Sequence, residues 1–443
     1  MNAPAQPEAA STGSPAAGVL PRGWQGSWRD GVSYGALGLP LAFVALPLYV
    51  VLPNHYATEF GIPLATLGAL LLGARLFDAI ADPWIGRWVD AGFAHSAGRV
   101  LAVAALAAVA VALGFRGLFF PPVRGEAALL VWCAALLALT YFSYSVLTVL
   151  HQAWGARLGG DEAQRARIVS WREGLALVGV LVASVLPSLA GLGAASAVFA
   201  LLLVAGLLLL ARAPRPAGRQ SDRLPTERPP SMTMPFANPA FRRLLSIYLV
   251  NGIASAVPAT LVLFFIRDRL QAPSYEPLCL ASYFAAGALS MPLWLRLVGR
   301  IGLARAWLGG MGLAIAAFVW AAALGTGDVL PFVAVCIASG AALGADLALP
   351  GALLAGVILR AGHGGRLEGA YFGWWNFATK LNLALAAGVS LPLLAALGYA
   401  PGARDAGALQ ALTIAYCLLP CLLKALAAGL LYKRWIRASG EIA

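Results

Sequence analysis

Twelve apolar stretches, each near the length of about 20 residues that a helix needs to cross a bilayer, account for most of this chain. They fall at residues 31–53, 63–85, 100–120, 127–152, 169–190, 193–212, 243–266, 274–296, 303–325, 329–357, 371–398 and 407–432. A backbone in hydrocarbon must close its hydrogen bonds internally, as a helix does. Of 443 residues, 60% are hydrophobic and 11% charged, and the mean hydropathy is +0.79. A soluble domain carries about 25% charged residues. The expected fold class is therefore an all-α membrane protein with twelve transmembrane helices.

The net charge of +12 would suit a nucleic-acid partner if it formed a patch, but the basic residues instead fall on alternate loops. Arg22 and Arg29 precede the first stretch, and Arg87 and Arg99 follow the second. Arg157, Arg165, Arg167 and Arg172 follow the fourth, and the run from Arg212 to Arg243 separates the sixth from the seventh. Arg296, Arg300 and Arg305 follow the eighth, Arg360 and Arg366 the tenth, and Lys433, Arg434 and Arg437 the last. The opposite loops hold only Arg116, Arg124, Arg267, Arg269 and Arg404. By the positive-inside rule both termini are expected in the cytoplasm of a plasma (bacterial inner) membrane protein, with membrane lipid and not nucleic acid as its surroundings.

Residues 213–241 form the longest polar interruption, rich in Pro and Arg. They divide the chain into a six-helix bundle over 29–212 and another over 242–435, an even split of the kind that internal repeats produce. Residues 1–20 lack a basic start and an apolar core, so residues 1–28 are expected to be a disordered cytoplasmic tail, not a signal peptide. Residues 436–443 form a second cytoplasmic tail. Short basic turns follow corresponding spans of the two halves: Gly86-Arg87-Trp88-Val89-Asp90 with Arg99, and Gly299-Arg300-Ile301-Gly302 with Arg305. Gly86, Asp90 and Arg99 are candidate gating residues, with Asp90 capping a helix or pairing with Arg99. No phosphate-binding loop, HExxH or Ser-His-Asp pattern is present, so ATP-driven transport and enzymatic activity are not expected. Cys133, Cys279, Cys336, Cys417 and Cys421 all lie in proposed spans and read as small buried hydrophobes, with no structural metal and no cofactor.

Few ionisable residues interrupt the spans. Asp78 and Asp82 lie four apart in the second and so share one helical face. A carboxylate at bilayer depth costs about 2.5–3.5 kcal/mol on insertion scales and usually faces a cavity where it has work to do. Paired carboxylates share a proton or hold a cation, so H+ or Na+ at Asp78 and Asp82 is the expected coupling ion. Arg75 could pair with Asp78 inside the same helix, and Asp82 could cap the break at Pro83. Lys380 either snorkels or takes the carboxylates of the second span as its counter-charge. Asp346 could face a cavity or pair with Lys380, and Lys424 is expected to snorkel. Aromatic and neutral polar groups cluster in the fourth and eleventh spans: Tyr141, Tyr144, Ser145, Thr148, His151, Gln152, Tyr371, Trp374, Trp375 and Asn376. An apolar platform with a few placed polar groups suits a small polar solute. Tyr144, Thr148, Gln152, Trp375 and Asn376 are the candidate substrate contacts. His151 could form a structural hydrogen bond or relay a proton.

Three segments carry a family resemblance: Ser33-Tyr34-Gly35 through Tyr56 to Glu59-Phe60-Gly61; Ala74-Arg75-Leu76-Phe77-Asp78-Ala79-Ile80-Ala81-Asp82-Pro83-Trp84-Ile85-Gly86; and Arg366-Leu367-Glu368-Gly369-Ala370-Tyr371-Phe372-Gly373 through Asn376 to Lys380-Leu381. On these the sequence resembles the glycoside–pentoside–hexuronide:cation symporters, the melibiose permease-like branch of the major facilitator superfamily. The resemblance implies a monomeric twelve-helix carrier in two six-helix halves that moves a sugar with a cation by alternating access. It implies that Asp78 and Asp82 are the cation-site aspartates, that Lys380 is the helix 11 lysine, and that Ser145 falls near the helix 4 hydroxyl of the cation site. The sequence departs from the pattern at Ala81, where the family has Asn, which removes an oxygen ligand and favours a proton over sodium. Ala42 and Thr148 stand where the family's galactoside-gripping aspartates fall. A lysophospholipid or other amphipath is the alternative substrate.

Overall fold

The computed structural model describes residues 23–216 and 231–437. The tails at 1–28 and 436–443 and the linker at 213–241 fall wholly or partly outside that set, as do Arg22, Arg219, Arg223 and Arg228. No strand occurs among the described residues. In chain order the spans are α1 (28–60), α2 (Leu64–His95), α3 (Ala97–Phe119), α4 (Glu126–Arg157), α5 (162–190), α6 (192–212), α7 (Pro239–Arg269), α8 (Glu276–Ile301), α9 (Leu303–Ala321), α10 (Val329–Arg360), α11 (Glu368–Ala396) and α12 (Ala406–Arg437).

Nine helices among the described residues are long and apolar enough to cross a membrane as they stand, and ten if the bent pieces of α1 count as one span. The others follow from local chemistry. The helix Glu162–Arg212 runs 51 residues, about 75 Å at 1.5 Å per residue, far more than one bilayer core. Gly191 breaks it at φ 78° and ψ 168°, a conformation open to glycine at little cost, and so separates α5 from α6. α2 is 32 residues long, but Arg75, Asp78 and Asp82 lower the hydropathy of its middle. α1 starts from a capping box, in which Ser27 Oγ accepts from the Asp30 amide and the Asp30 side chain accepts from the Ser27 amide. It then bends by 41° between Gly35 and Gly38.

The first six spans pack around a cluster of rings, with Phe43 stacked on Phe199 at 5.5 Å and Phe115 tilted against Phe199 at 4.7 Å between centroids. The last six hold two apolar clusters, one around Phe241, Trp307 and Tyr371, the other around Phe265, Phe332 and Tyr416. The halves meet along two seams, α2 against α11 and α5 against α8 and α10. Exchanging the halves maps α2 onto α8 and α5 onto α11, so the seams α2/α11 and α5/α8 are counterparts.

Several helices overrun the apolar stretches on the side of the basic loops. α2 ends at His95, α4 at Arg157, and α5 begins at residue 162. Hydropathy marks only the hydrocarbon depth, whereas a helix continues through the headgroup layer. The expectation that Arg157, Arg165 and Arg167 lie in a loop is thereby corrected: Arg157 ends α4, Arg165 and Arg167 sit inside α5, and Arg165 is 9% exposed.

Candidate cation-coupling site

The helical period of α2 puts the Asp78 and Asp82 side chains on the face that meets α11, and both are buried. Lys380 comes from α11. Its Nζ lies 2.7 Å from Asp78 Oδ2, 2.8 Å from Asp82 Oδ2 and 2.9 Å from Asp82 Oδ1. It also donates to Ser145 Oγ of α4 at 2.8 Å, and Ser145 Oγ in turn donates to Asp78 Oδ1 at 2.6 Å. The structure thus brings Asp78, Asp82, Ser145 and Lys380 into one cluster spanning the two halves. Two carboxylates and one ammonium leave it one negative charge in excess. Asp82 Oδ2 is buried and has no well-directed hydrogen bond among the described residues. Arg75 does not take Asp78. Its guanidinium lies 4.1 Å from the centre of the Tyr49 ring, a cation–π contact. Lys380 does not snorkel away, and Asp82 does not cap a break, since α2 continues through Pro83.

Toward the basic side, α2 and α11 approach until their backbones touch. A Cβ on Gly86 would lie 2.1 Å from the Gly369 carbonyl oxygen, and one on Gly373 would lie 2.5 Å from the Asp82 carbonyl oxygen. Only glycine fits such an approach. One turn beyond Gly86, Asp90 accepts from the amides of Gly369 and Ala370, each at 2.8 Å, at the start of α11. That helix terminus favours an anion. Arg157 Nη2 reaches Asp90 at 2.8 Å and Glu368 at 3.0 Å, and its Nη1 donates to the Gly365 carbonyl at 3.1 Å. The pairing of Asp90 with Arg99 is therefore corrected. Arg99 is exposed and its amide donates to Ser96 Oγ; Arg157 is the partner of Asp90 because α4, not the start of α3, faces the α2/α11 seam. The second seam closes on the same side, where the Leu303 amide donates to Glu162 at 3.0 Å.

The candidate substrate residues divide into two groups. Tyr144, Thr148 and Gln152 repeat every four residues along one face of α4, and Thr148 Oγ1 and Gln152 Oε1 are buried without a partner among the described residues. Trp375 of α11 stacks on Tyr248 of α7 with ring centres 3.8 Å apart, and the Tyr248 and Thr379 hydroxyls are 2.7 Å apart. Asn376 is buried beside it in α11. No described contact joins the two groups. Tyr371 and Trp374 belong elsewhere: Tyr371 Oη meets His363 Nδ1 at 2.8 Å, and Trp374 Nε1 donates to the Met232 carbonyl near the linker. His151 Nε2 donates to the Tyr34 carbonyl at 2.7 Å while the Tyr34 hydroxyl donates to the His151 carbonyl at 3.0 Å, a reciprocal tie between α1 and α4.

A second buried ion pair lies inside the second half. Lys424 of α12 does not snorkel; it is 4% exposed, and its Nζ lies 2.7 Å from Asp346 Oδ2. Asp346 pairs with Lys424 and not with Lys380. Sequence reasoning did not single out Tyr248, Asn251 or Ser255. Their polar spacing of three and four along α7 was the available signal.

With this geometry in view, the comparisons place the chain. Residues 33–436 match the family of MFS/sugar transport proteins, and the chain belongs to it. A bacterial homologue of the iron transporter ferroportin, solved in an outward-facing state, is similar at a TM-score of 0.68 and 16% identity over 92% of this chain and 99% of that one. The transporter FucP in its outward conformation is similar at 0.63 and 13% over 90% and 98%. The human organic anion transporter MFSD10 is similar at 0.64 and 19% over 91% and 99%. These likenesses show the major facilitator fold. No curated protein matches the sequence.

Proposed function

We propose that this integral membrane transporter is a secondary symporter of the glycoside–pentoside–hexuronide:cation type, moving a sugar or related small polar solute with a proton by alternating access. The observation that carries the reading is the ammonium of Lys380, contributed by one half, in contact with Asp78, Asp82 and Ser145 of the other. One added proton makes the cluster neutral and weakens its hold on Lys380, so that the halves can part. Asp82 Oδ2, which touches the ammonium but has no well-directed hydrogen bond among the described residues, is the oxygen to which we assign that proton. A proton fits better than sodium because Ala81 offers no side-chain oxygen and, among the described residues, Ser145 supplies the one neutral side-chain oxygen in contact with Lys380. The stacked pair Trp375–Tyr248 offers a plane for a sugar ring, with Thr148, Gln152, Tyr144 and Asn376 as polar contacts. Gly86 and Asp90 would form the gate, with Arg157 in the place first given to Arg99. The basic loops support a plasma (bacterial inner) membrane with both termini cytoplasmic. One chain holds every group in this scheme, so a monomer suffices, without a cofactor.

The test is proton movement in lightly buffered vesicles containing the protein, with sugars and then lysophospholipids added, with and without sodium. Alkalinisation of the medium on adding a sugar supports the reading. A response to lysophospholipid alone replaces it with the amphipath alternative. Asp82→Asn is expected to abolish gradient-driven accumulation, and intact accumulation in that variant sinks the coupling scheme.

A further inference from the structure

We propose that Cys279 and Cys336 form a modification site, a buried dithiol that a peroxide closes into a disulfide, stapling α8 to α10. This does not depend on the symport reading. Both helices start on the side remote from the basic loops, run parallel, and touch along their backbones. A Cβ on Gly340 of α10 would lie 2.2 Å from the Tyr283 carbonyl oxygen of α8, and one on Gly344 would lie 2.8 Å from the Gly287 carbonyl oxygen. Tyr283 thus pairs with Gly340, and four residues on in each helix Gly287 pairs with Gly344. Four residues back, on the same two faces, stand Cys279 and Cys336. One turn from a backbone contact, parallel helices are still near the Cα separation of about 4.4–6.8 Å that a disulfide spans. The two sulfurs adjoin, near enough to hydrogen-bond each other. Both thiols are free, and their residues are 2% and 5% exposed.

The space beside the sulfurs selects the oxidant. Both cysteines line a cavity of about 130 Å³. A water needs about 10–15 Å³ of such space, so hydrogen peroxide, little larger than water and uncharged, fits beside the thiols. A peptide disulfide such as oxidised glutathione does not. In the first step one sulfur attacks a peroxide oxygen and the O–O bond breaks. The thiol proton leaves with the departing hydroxide as water, and a sulfenic acid remains. In the second step the neighbouring sulfur attacks the sulfenic sulfur, the S–O bond breaks, and the second thiol proton leaves with that hydroxyl as water. Two thiols are oxidised and one peroxide is reduced to two waters. The positive-inside rule puts this end of α8 and α10 outside the cell, where disulfides persist. The bridge closes a loop around α9 and so restrains the unfolded chain.

The remaining cysteines are internal controls: Cys133 lies in the first half, and Cys417 and Cys421 lie in α12. The full-length protein in nanodiscs is treated with hydrogen peroxide or with oxidised glutathione, quenched in acid, denatured and labelled with N-ethylmaleimide. Its peptides are then followed by mass spectrometry. Peroxide is expected to remove the Cys279 and Cys336 thiols together and to yield one peptide pair joined through them, lighter by two hydrogens and separated again by dithiothreitol. Cys133 should stay free, and oxidised glutathione should leave both thiols intact. The bridged protein should melt at a higher temperature than the reduced one, and peroxide-treated Cys279→Ser, or Cys336→Ala should the first variant not fold, should show neither the joined peptides nor the rise. The proposal is overturned if both thiols survive peroxide, if they oxidise separately without joining, or if Cys279 joins a control cysteine instead. Closure by oxidised glutathione as fast as by peroxide overturns the choice of oxidant, and a bridge without a rise in melting temperature overturns the staple.

Discussion

Asp90→Asn tests whether the contact between α2 and α11 holds the basic side shut. The carboxylate accepts from two amides of the opposite half and from Arg157, all at 2.8 Å. An asparagine has one acceptor oxygen, and its NH2 would face a donor already there. At least one hydrogen bond to a charged group is lost, worth about 1.5–3 kcal/mol. The loss falls on the closed form alone, because opening separates Asp90 from Gly369 and Ala370 in any case. At about 2 kcal/mol the equilibrium between the forms moves roughly 30-fold toward opening. Thr148 lies nine residues before Arg157 along α4, about 14 Å deep by helix rise. A cysteine at that position, in a chain with its five native cysteines replaced, can be labelled from the basic side by an impermeant maleimide. The initial rate should rise by a factor approaching that shift, about 30-fold where the closed form predominates, and Asp90→Ala should raise it further. An unchanged rate in both variants, in folded protein, refutes the reasoning.

Three more outcomes follow from the same geometry. Lys380→Met leaves two buried carboxylates without their ammonium and should cost about 3–5 kcal/mol, read as a lower melting temperature; adding Asp82→Asn should recover most of it. Gly369→Ala puts a Cβ 2.2 Å from the Gly86 carbonyl and should open the basic side as Asp90→Asn does, with no change in charge; wild-type labelling of the Thr148→Cys reporter would show that the backbones need not touch. Lys424→Met should destabilise by about 3–5 kcal/mol by stranding Asp346, and Lys424→Met with Asp346→Leu should restore thermal stability, because a buried pair replaced whole by apolar groups is often neutral.

What could be read in the sequence and what could not divide along physical lines. The spans were legible because hydrophobicity over about 20 residues reports bilayer crossing directly. Their ends were not, because the interface tolerates both helix and loop, and so Arg157, Arg165 and Arg167 were assigned to a loop although they lie in helices. The meeting of Asp78 and Asp82 with Lys380 was legible as a possibility, since a charge in hydrocarbon needs a counter-charge. The choice of Lys424 for Asp346 was not: both lysines were available, and only the packing of α7, α9, α10 and α12 decides between them. Asp90 was visible as an acidic residue in a basic turn. Besides Arg157, its partners are backbone amides of Gly369 and Ala370, and no side-chain pattern announces an amide.

The two buried ion pairs differ in what the parting of the halves would do to them, and that difference argues for where coupling resides. Asp346, Lys424 and their partners Asn251, Ser255 and Trp307 all belong to the second half. A rigid-body movement carries them together and leaves every distance as it was. Asp78, Asp82 and Ser145 belong to the first half and Lys380 to the second. Any separation along the α2/α11 seam pulls the ammonium from both carboxylates and leaves opposite charges stranded at bilayer depth, a cost of about 3–5 kcal/mol for a broken buried pair. A proton on the aspartates lowers that cost by removing the charge that Lys380 answers, which is why the proposed symport scheme ties the protonation state of α2 to the position of the second half.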